Sequence, residues 1–239
     1  MLFPRTSALL SESAWAPWRS DQQRILYHYT TSQGLHGIVT QKKFRLTHSR
    51  HLNDETEGLH RAVTVDIALD RLRSTLKNST LVQILSDAMK IGLSQDQTPT
   101  VGGTFLGCFS TLKDSLPQWR GYGRYDSSFA MAFDAEKLLA IAQKAWDGRC
   151  WLLPVQYDQE IFINTLIAAF SIASEEFDEC IESNNPQFVI KALVVLIANY
   201  ASALKHHAFK EENEWRLIFL SLADDTAPSI QHLPNSTFR

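Results

Sequence analysis

Apolar and polar positions alternate with a period of two in several stretches of this chain and recur at helical spacing in others. Alternation predicts strands over Arg24 to Thr30, Lys43 to Thr47, Thr104 to Ser110, Ser128 to Asp134 and Cys150 to Tyr157, and a last one, rich in Leu, Ile and Phe, over Glu214 to Leu222. After the first strand, Thr31 or Ser32 is placed to cap a short helix through Val39, with Leu35, Ile38 and Val39 on one face. Helical spacing appears over Leu59 to Lys77, with Val63, Ile67 and Leu72 or Leu76 in register. It appears again over Thr80 to Gly92, through Leu81, Ile84, Leu85 and Ala88. Ala135 to Trp146 is predicted helical, as is a long region from Gln159 to about Lys205 broken near Asn184-Asn185-Pro186. Arg50 to Gly58, Ser94 to Gly103 and the Trp-Arg-Gly-Tyr-Gly run from Trp119 to Gly123 read as loops. Strands interrupted by helical blocks argue for an α+β fold rather than a regular βαβ alternation. Residues 1–23 read as an irregular arm, 24–222 as one domain and 223–239 as a polar tail.

Length and charge narrow the classes. The chain has 239 residues, 44% of them hydrophobic and 21% charged, enough for a substantial single core. A net charge of -3 gives no broad attraction to nucleic acid or to an acidic membrane. Cys108, Cys150 and Cys180 are scattered, without a CxxC pair, which fits a reducing cytoplasm. Met1 to Ser20 lacks the apolar run of a signal peptide. Phe188 to Tyr200, the most apolar stretch, falls short of the ~20 residues that span a bilayer and reads as a core helix.

Four segments concentrate groups capable of chemistry. In Tyr27-His28-Tyr29-Thr30, His28 and Thr30 point to one strand face and Tyr27 and Tyr29 to the other. Cys108-Phe109-Ser110-Thr111 offers hydroxyls at a strand end, followed by Trp119 and Tyr122, whose rings suit a stacking platform. Glu212, Glu214 and Arg216 are expected on one face of the last strand, where a carboxylate can stabilise an oxocarbenium-like transition state. The histidine and carboxylate run around His48, His51 and Asp54 lacks regular zinc spacing. It reads as a turn, with Asp54 capping the next helix, and no metal is expected.

Taken in order, the motifs YHYT, FRLTHSRHLNDETEG, CFS, WRGYG with SFAMAFD, and ENEWRL resemble the bacterial domain of unknown function family 2971. The resemblance spans about residues 24 to 222. More distantly, His28-x-Thr30, the Gly-Leu-x-x-Ile-Val helix and the late glutamate resemble ADP-ribosyltransferases of the His-Tyr-Glu type; Phe109-Ser110-Thr111 and Glu212-x-Glu214 are similar to the Arg-Ser-Glu type. That likeness implies a split, mostly antiparallel sheet with helical insertions and NAD as substrate, bound between the YHYT and CFS strands. It implies that His28 holds the adenosine-side ribose with Tyr29 and Thr30 nearby, that Ser110 supports the ribose and that Trp119 or Tyr122 stacks on nicotinamide. Arg216 would help to bind NAD, Glu214 would polarise the ribose 2'-hydroxyl and Glu212 would activate an acceptor, either protein or nucleic acid. The alternative is a non-catalytic nucleotide-sensing or interaction domain in a defence or toxin setting. Either way, His28, Ser110 and Glu214 are expected to meet in one cleft.

Overall fold

The computed structural model describes residues 5–6, 9, 24–52, 57–74, 101–122, 127–145, 150–183 and 197–222. The first alternating run forms β1 (Ile25–Thr31) and passes directly into α1 (Ser32–Gln41). Thr31 caps that helix, its hydroxyl accepting the Gly34 N–H at 3.2 Å, and Lys42 ends it with φ 51°. The α1 helix lies on the surface, with Val39 exposed rather than packed.

No strand forms over Lys43 to Leu46; only Thr47–His48 pair, as β2. The alternation there has another cause. Phe44 and Leu46 lie flat over Gly107, where an added Cβ would sit 2.7 Å from the phenylalanine ring and 2.9 Å from the leucine. They cover the face of a sheet instead of lengthening its edge. A 3-10 turn, Ser49–His51, follows.

The remaining elements are α2 (Glu57–Arg73), β3 (Val101–Ser110), α3 (Leu116–Tyr122), β4 (Ser128–Asp134), α4 (Ala135–Ala145), β5 (Cys150–Pro154), α5 (Gln159–Ser183) and β6 (Glu214–Leu222). Two boundaries differ from expectation. The Trp-Arg-Gly-Tyr run is mostly helical, in α3, because the Trp119 N–H finds the Ser115 carbonyl at 2.9 Å. The strand expected to reach Tyr157 stops at Pro154; Val155 still donates to the Glu214 carbonyl at 2.9 Å, and Gln156 then turns to a parallel bridge with Leu204. The predicted helix over Thr80 to Gly92, the Asn53-Asp54 turn and the tail lie outside the described residues.

The sheet runs in the order β4-β1-β3-β6-β5, with β2 also on β3, and every pairing is antiparallel. The fold is therefore α+β with an open sheet. Its middle is narrow: β1 and β3 share one residue pair, Tyr27↔Ser110, whereas β1 runs against β4 along its whole length.

Each face has its own core. Val65, Leu69 and Leu72 of α2 meet Phe162, Leu166 and Phe170 of α5, Tyr200 and Leu204, and the sheet residues Leu106 and Ile218. On the other face, Leu26, Phe109, Leu152, Trp215, Leu217 and Phe219 pack with Ala135 and Ala142 of α4 and with Phe44, Leu46 and Phe133. Each fully buried Leu or Phe contributes roughly 1.5–3 kcal/mol, so both layers are substantial. The start of the chain docks on α5. Glu176, itself buried, accepts from the backbone of Arg5 at 2.7 Å and of Thr6 at 3.1 Å, and from the Thr6 hydroxyl at 2.6 Å.

Candidate functional site

Register brings together the three motifs that sequence places far apart. Tyr27 pairs with Ser110, and Ser110 pairs with Glu214, so a row crosses β1, β3 and β6. Cross-strand partners point to the same side of a sheet. Two strand spacings put the ends of the row about 10 Å apart at the backbone.

The row lies on the face covered by α2 and α5, and Tyr29 lies on the same face. Tyr29 donates to the Leu112 carbonyl at 2.7 Å and meets the Trp119 ring edge-on at 4.6 Å. Trp119 in turn donates from its indole to Asp114 at 2.6 Å. Opposite Tyr27 and Tyr29, β4 presents only Ala132 and Ala130, and Ala132 is exposed, which leaves a low floor beside the tyrosines.

His28 does not join this row. It faces the other side, with its ring 4.8 Å from Phe44 and 5.7 Å from Phe109. Its Nδ1 sits 2.9 Å from the Cys108 carbonyl and must carry the proton, since a carbonyl only accepts. Burial lowers its pKa and the Cys108 hydrogen bond opposes that, so the ring favours the neutral form. Thr30 follows His28 by alternation. The expected meeting of His28, Ser110 and Glu214 is therefore corrected: strand parity turns His28 and Thr30 away and puts Tyr27 and Tyr29 in their place.

At the other end of the row is a buried ionic network. Arg216, only 1% exposed, donates to Glu214 at 2.8 and 3.2 Å, to Glu57 at 2.5 and 3.1 Å, and to the Ser202 carbonyl at 2.7 Å. Arg61 lies 3.4 Å from Glu57. The Lys205 ammonium reaches Glu212 at 2.6 Å and Glu214 at 2.9 Å. Burial alone would raise the Glu214 carboxyl, but Arg216 and Lys205 outweigh it and hold it at about 2. Burial pushes Glu212 above the usual carboxylate value despite the Lys205 contact. Cys108 is pushed well up by burial and then by Glu214, which keeps it a thiol rather than a nucleophilic thiolate. Tyr122 is raised by burial and by the nearby Cys108, Glu214 and Glu212.

Glu212 and Glu214 do not share a face by strand alternation. Glu212 ends a 3-10 turn, His207–Glu212, that His206 begins by capping Ala208; Asn213 then takes the left-handed conformation at φ 43°. That turn folds Glu212 back beside Glu214. It is clasped by β3 and α3: the Ser110 hydroxyl donates to the Glu212 carbonyl at 2.7 Å, Gln118 does so at 3.3 Å, and the Thr111 N–H reaches Asn213 at 3.2 Å.

Residues 118–217, from α3 into β6, match the model of a family described as protein of unknown function, DUF2971. The matched stretch contains Trp119, Tyr122, Glu212, Glu214 and Arg216 and leaves out β1 and β3, which carry Tyr27 and Ser110. No curated protein and no solved structure matches the chain. Among the described residues, no group of three or more His, Cys, Asp or Glu is arranged to hold a metal, and no helix is long and apolar enough to cross a membrane.

Proposed function

We propose that the chain is an ADP-ribosyltransferase-like enzyme that takes NAD and breaks the bond between nicotinamide and ribose. The observation that carries the reading is the row Tyr27–Ser110–Glu214, one polar residue from each of three adjacent strands on one sheet face. NAD lies over the low floor beside Tyr27 and Tyr29, with Trp119 and Tyr122 supplying rings for nicotinamide to stack on. The C–N bond breaks with its electron pair leaving on nicotinamide, which departs neutral. The ribose is left as an oxocarbenium cation. Glu214, held ionised by its cationic neighbours, stabilises that cation. The acceptor oxygen then attacks the sugar carbon, and its proton passes to the Glu212 carboxylate. The acceptor is a hydroxyl of a protein or nucleic acid, or water.

One observation favours a second reading. Glu214 is 3% exposed and already satisfied by Arg216 and Lys205, as a purely structural ion cluster would be. In that reading the chain is a non-catalytic nucleotide-sensing or interaction domain serving defence or toxin biology.

Calorimetry with NAD and an assay for released nicotinamide separate the two. The transferase reading expects saturable NAD binding and release that falls about 100-fold or more in Glu214→Gln, with affinity changed little. Binding without release by the wild type carries the second reading. Release that survives Glu214→Gln intact refutes the mechanism.

A further inference from the structure

No sequence pattern points to Lys205, which follows a helical segment just before two histidines. In the fold it is 5% exposed and is held at both ends. Its N–H bonds the Gln156 carbonyl at 3.1 Å, and the Gln156 N–H returns to Ala203 at 2.8 Å, tying the segment to the chain leaving β5. Its ammonium lies 2.6 Å from Glu212, 2.9 Å from Glu214 and 4.7 Å over the Phe209 ring.

Two carboxylates on one site repel each other, and one takes a proton unless a cation lies between them. Arg216 serves Glu214 but spends its other donors on Glu57 and Ser202. Lys205 touches both glutamates. We infer that Lys205 is the positioning residue of the proposed site: it keeps Glu212 ionised beside Glu214, so that one carboxylate receives the acceptor's proton while the other faces the breaking bond. The catalytic part of this inference rests on the transferase reading; the electrostatic part does not.

The groups around the pair come from every neighbouring element. Cys108 of β3 and Arg216 of β6 contact Glu214, Glu57 and Arg61 of α2 stand behind Arg216, and Tyr122 of α3 and Tyr157 after β5 face the same carboxylates. Burial alone would lower the Lys205 pKa, yet Glu214 and Glu212 together outweigh it and lift it. Burial raises Glu212, and Lys205 is the first group to oppose that rise.

The test is a carbon-13 carboxyl titration of Glu212 in the full chain, alongside the pH profile of nicotinamide release to water. In Lys205→Met the Glu212 midpoint should rise by about 1 pH unit or more. The acidic limb of kcat should move up with it, while KM for NAD changes little. Lys205→Arg should restore both. Lys205→Gln, which keeps donors without the charge, replaces the methionine variant if that does not fold. A Glu212 midpoint unmoved by loss of the lysine charge, or unrestored by arginine, overturns the inference. A wild type that releases no nicotinamide overturns the transferase reading instead, and the Glu212 titration then decides the inference alone.

Discussion

Replacing Arg216 with methionine tests whether the ionic network holds α2 and the segment around Ser202 to Lys205 against the sheet. Methionine fills similar volume but leaves Glu57 with the longer Arg61 contact at 3.4 Å and Glu214 with Lys205 at 2.9 Å as its remaining cation. Removing one partner from a buried ion pair commonly costs about 3–5 kcal/mol, because an uncompensated charge stays behind. The Glu214 carboxyl points the same way: Arg216 and Lys205 hold it low against the rise that burial alone would give. Arg216→Met should therefore cost about 3–5 kcal/mol out of the ~5–15 kcal/mol typical of a domain. Urea unfolding at neutral pH, followed by the fluorescence of tryptophans that include the buried Trp215, reads the loss directly. Adding Glu57→Gln should recover part of it, since one stranded charge disappears. A loss below about 1 kcal/mol would mean that the network does not support the fold and would refute the reasoning.

Stability should also depend on pH. A Glu214 carboxyl depressed in the fold contributes stability that is present above the unfolded glutamate pKa near 4.3 and lost as pH falls toward about 2. His28, lowered mainly by burial, adds a loss of the same sign that begins as pH drops below its ordinary 6.5; thermal melts across pH 2–7 should show both. Asn213→Val should cost about 1–2 kcal/mol in urea unfolding, because a β-branched residue resists φ 43°, whereas Asn213→Gly should be nearly neutral. Thr31→Ala should cost about 1 kcal/mol in the same assay, with Thr31→Ser retaining most of the cap.

The period of apolar positions made most strands and helices legible, including the Thr31 cap and the α+β class. Alternation alone could not tell a sheet edge from residues lying on a sheet face, which is why Phe44 and Leu46 suggested a strand. Parity was visible in Tyr27 to Thr30, but which face met Glu214 depended on the Tyr27↔Ser110 register, a property of pairing that no local pattern encodes. Glu212 had the right partner for the wrong reason: a left-handed Asn213, not strand alternation, brings it beside Glu214. Lys205 joins the cluster through long-range packing and left no local signal, whereas Glu57 stands near the end of the FRLTHSRHLNDETEG motif.

The single Tyr27↔Ser110 rung has a mechanical consequence. With no continuous ladder between them, the β4–β1 pair can swing against β3–β6–β5 about that one rung, at the expense of side-chain packing rather than a row of backbone bonds. The swing is resisted on both sides of the sheet: Tyr29 bonds the Leu112 carbonyl on the row's own side, and on the other His28 grips the Cys108 carbonyl while Phe44 wedges between His28, Phe109 and Phe133. A histidine with no place among the row's own residues thus shares in holding the two halves of the sheet together.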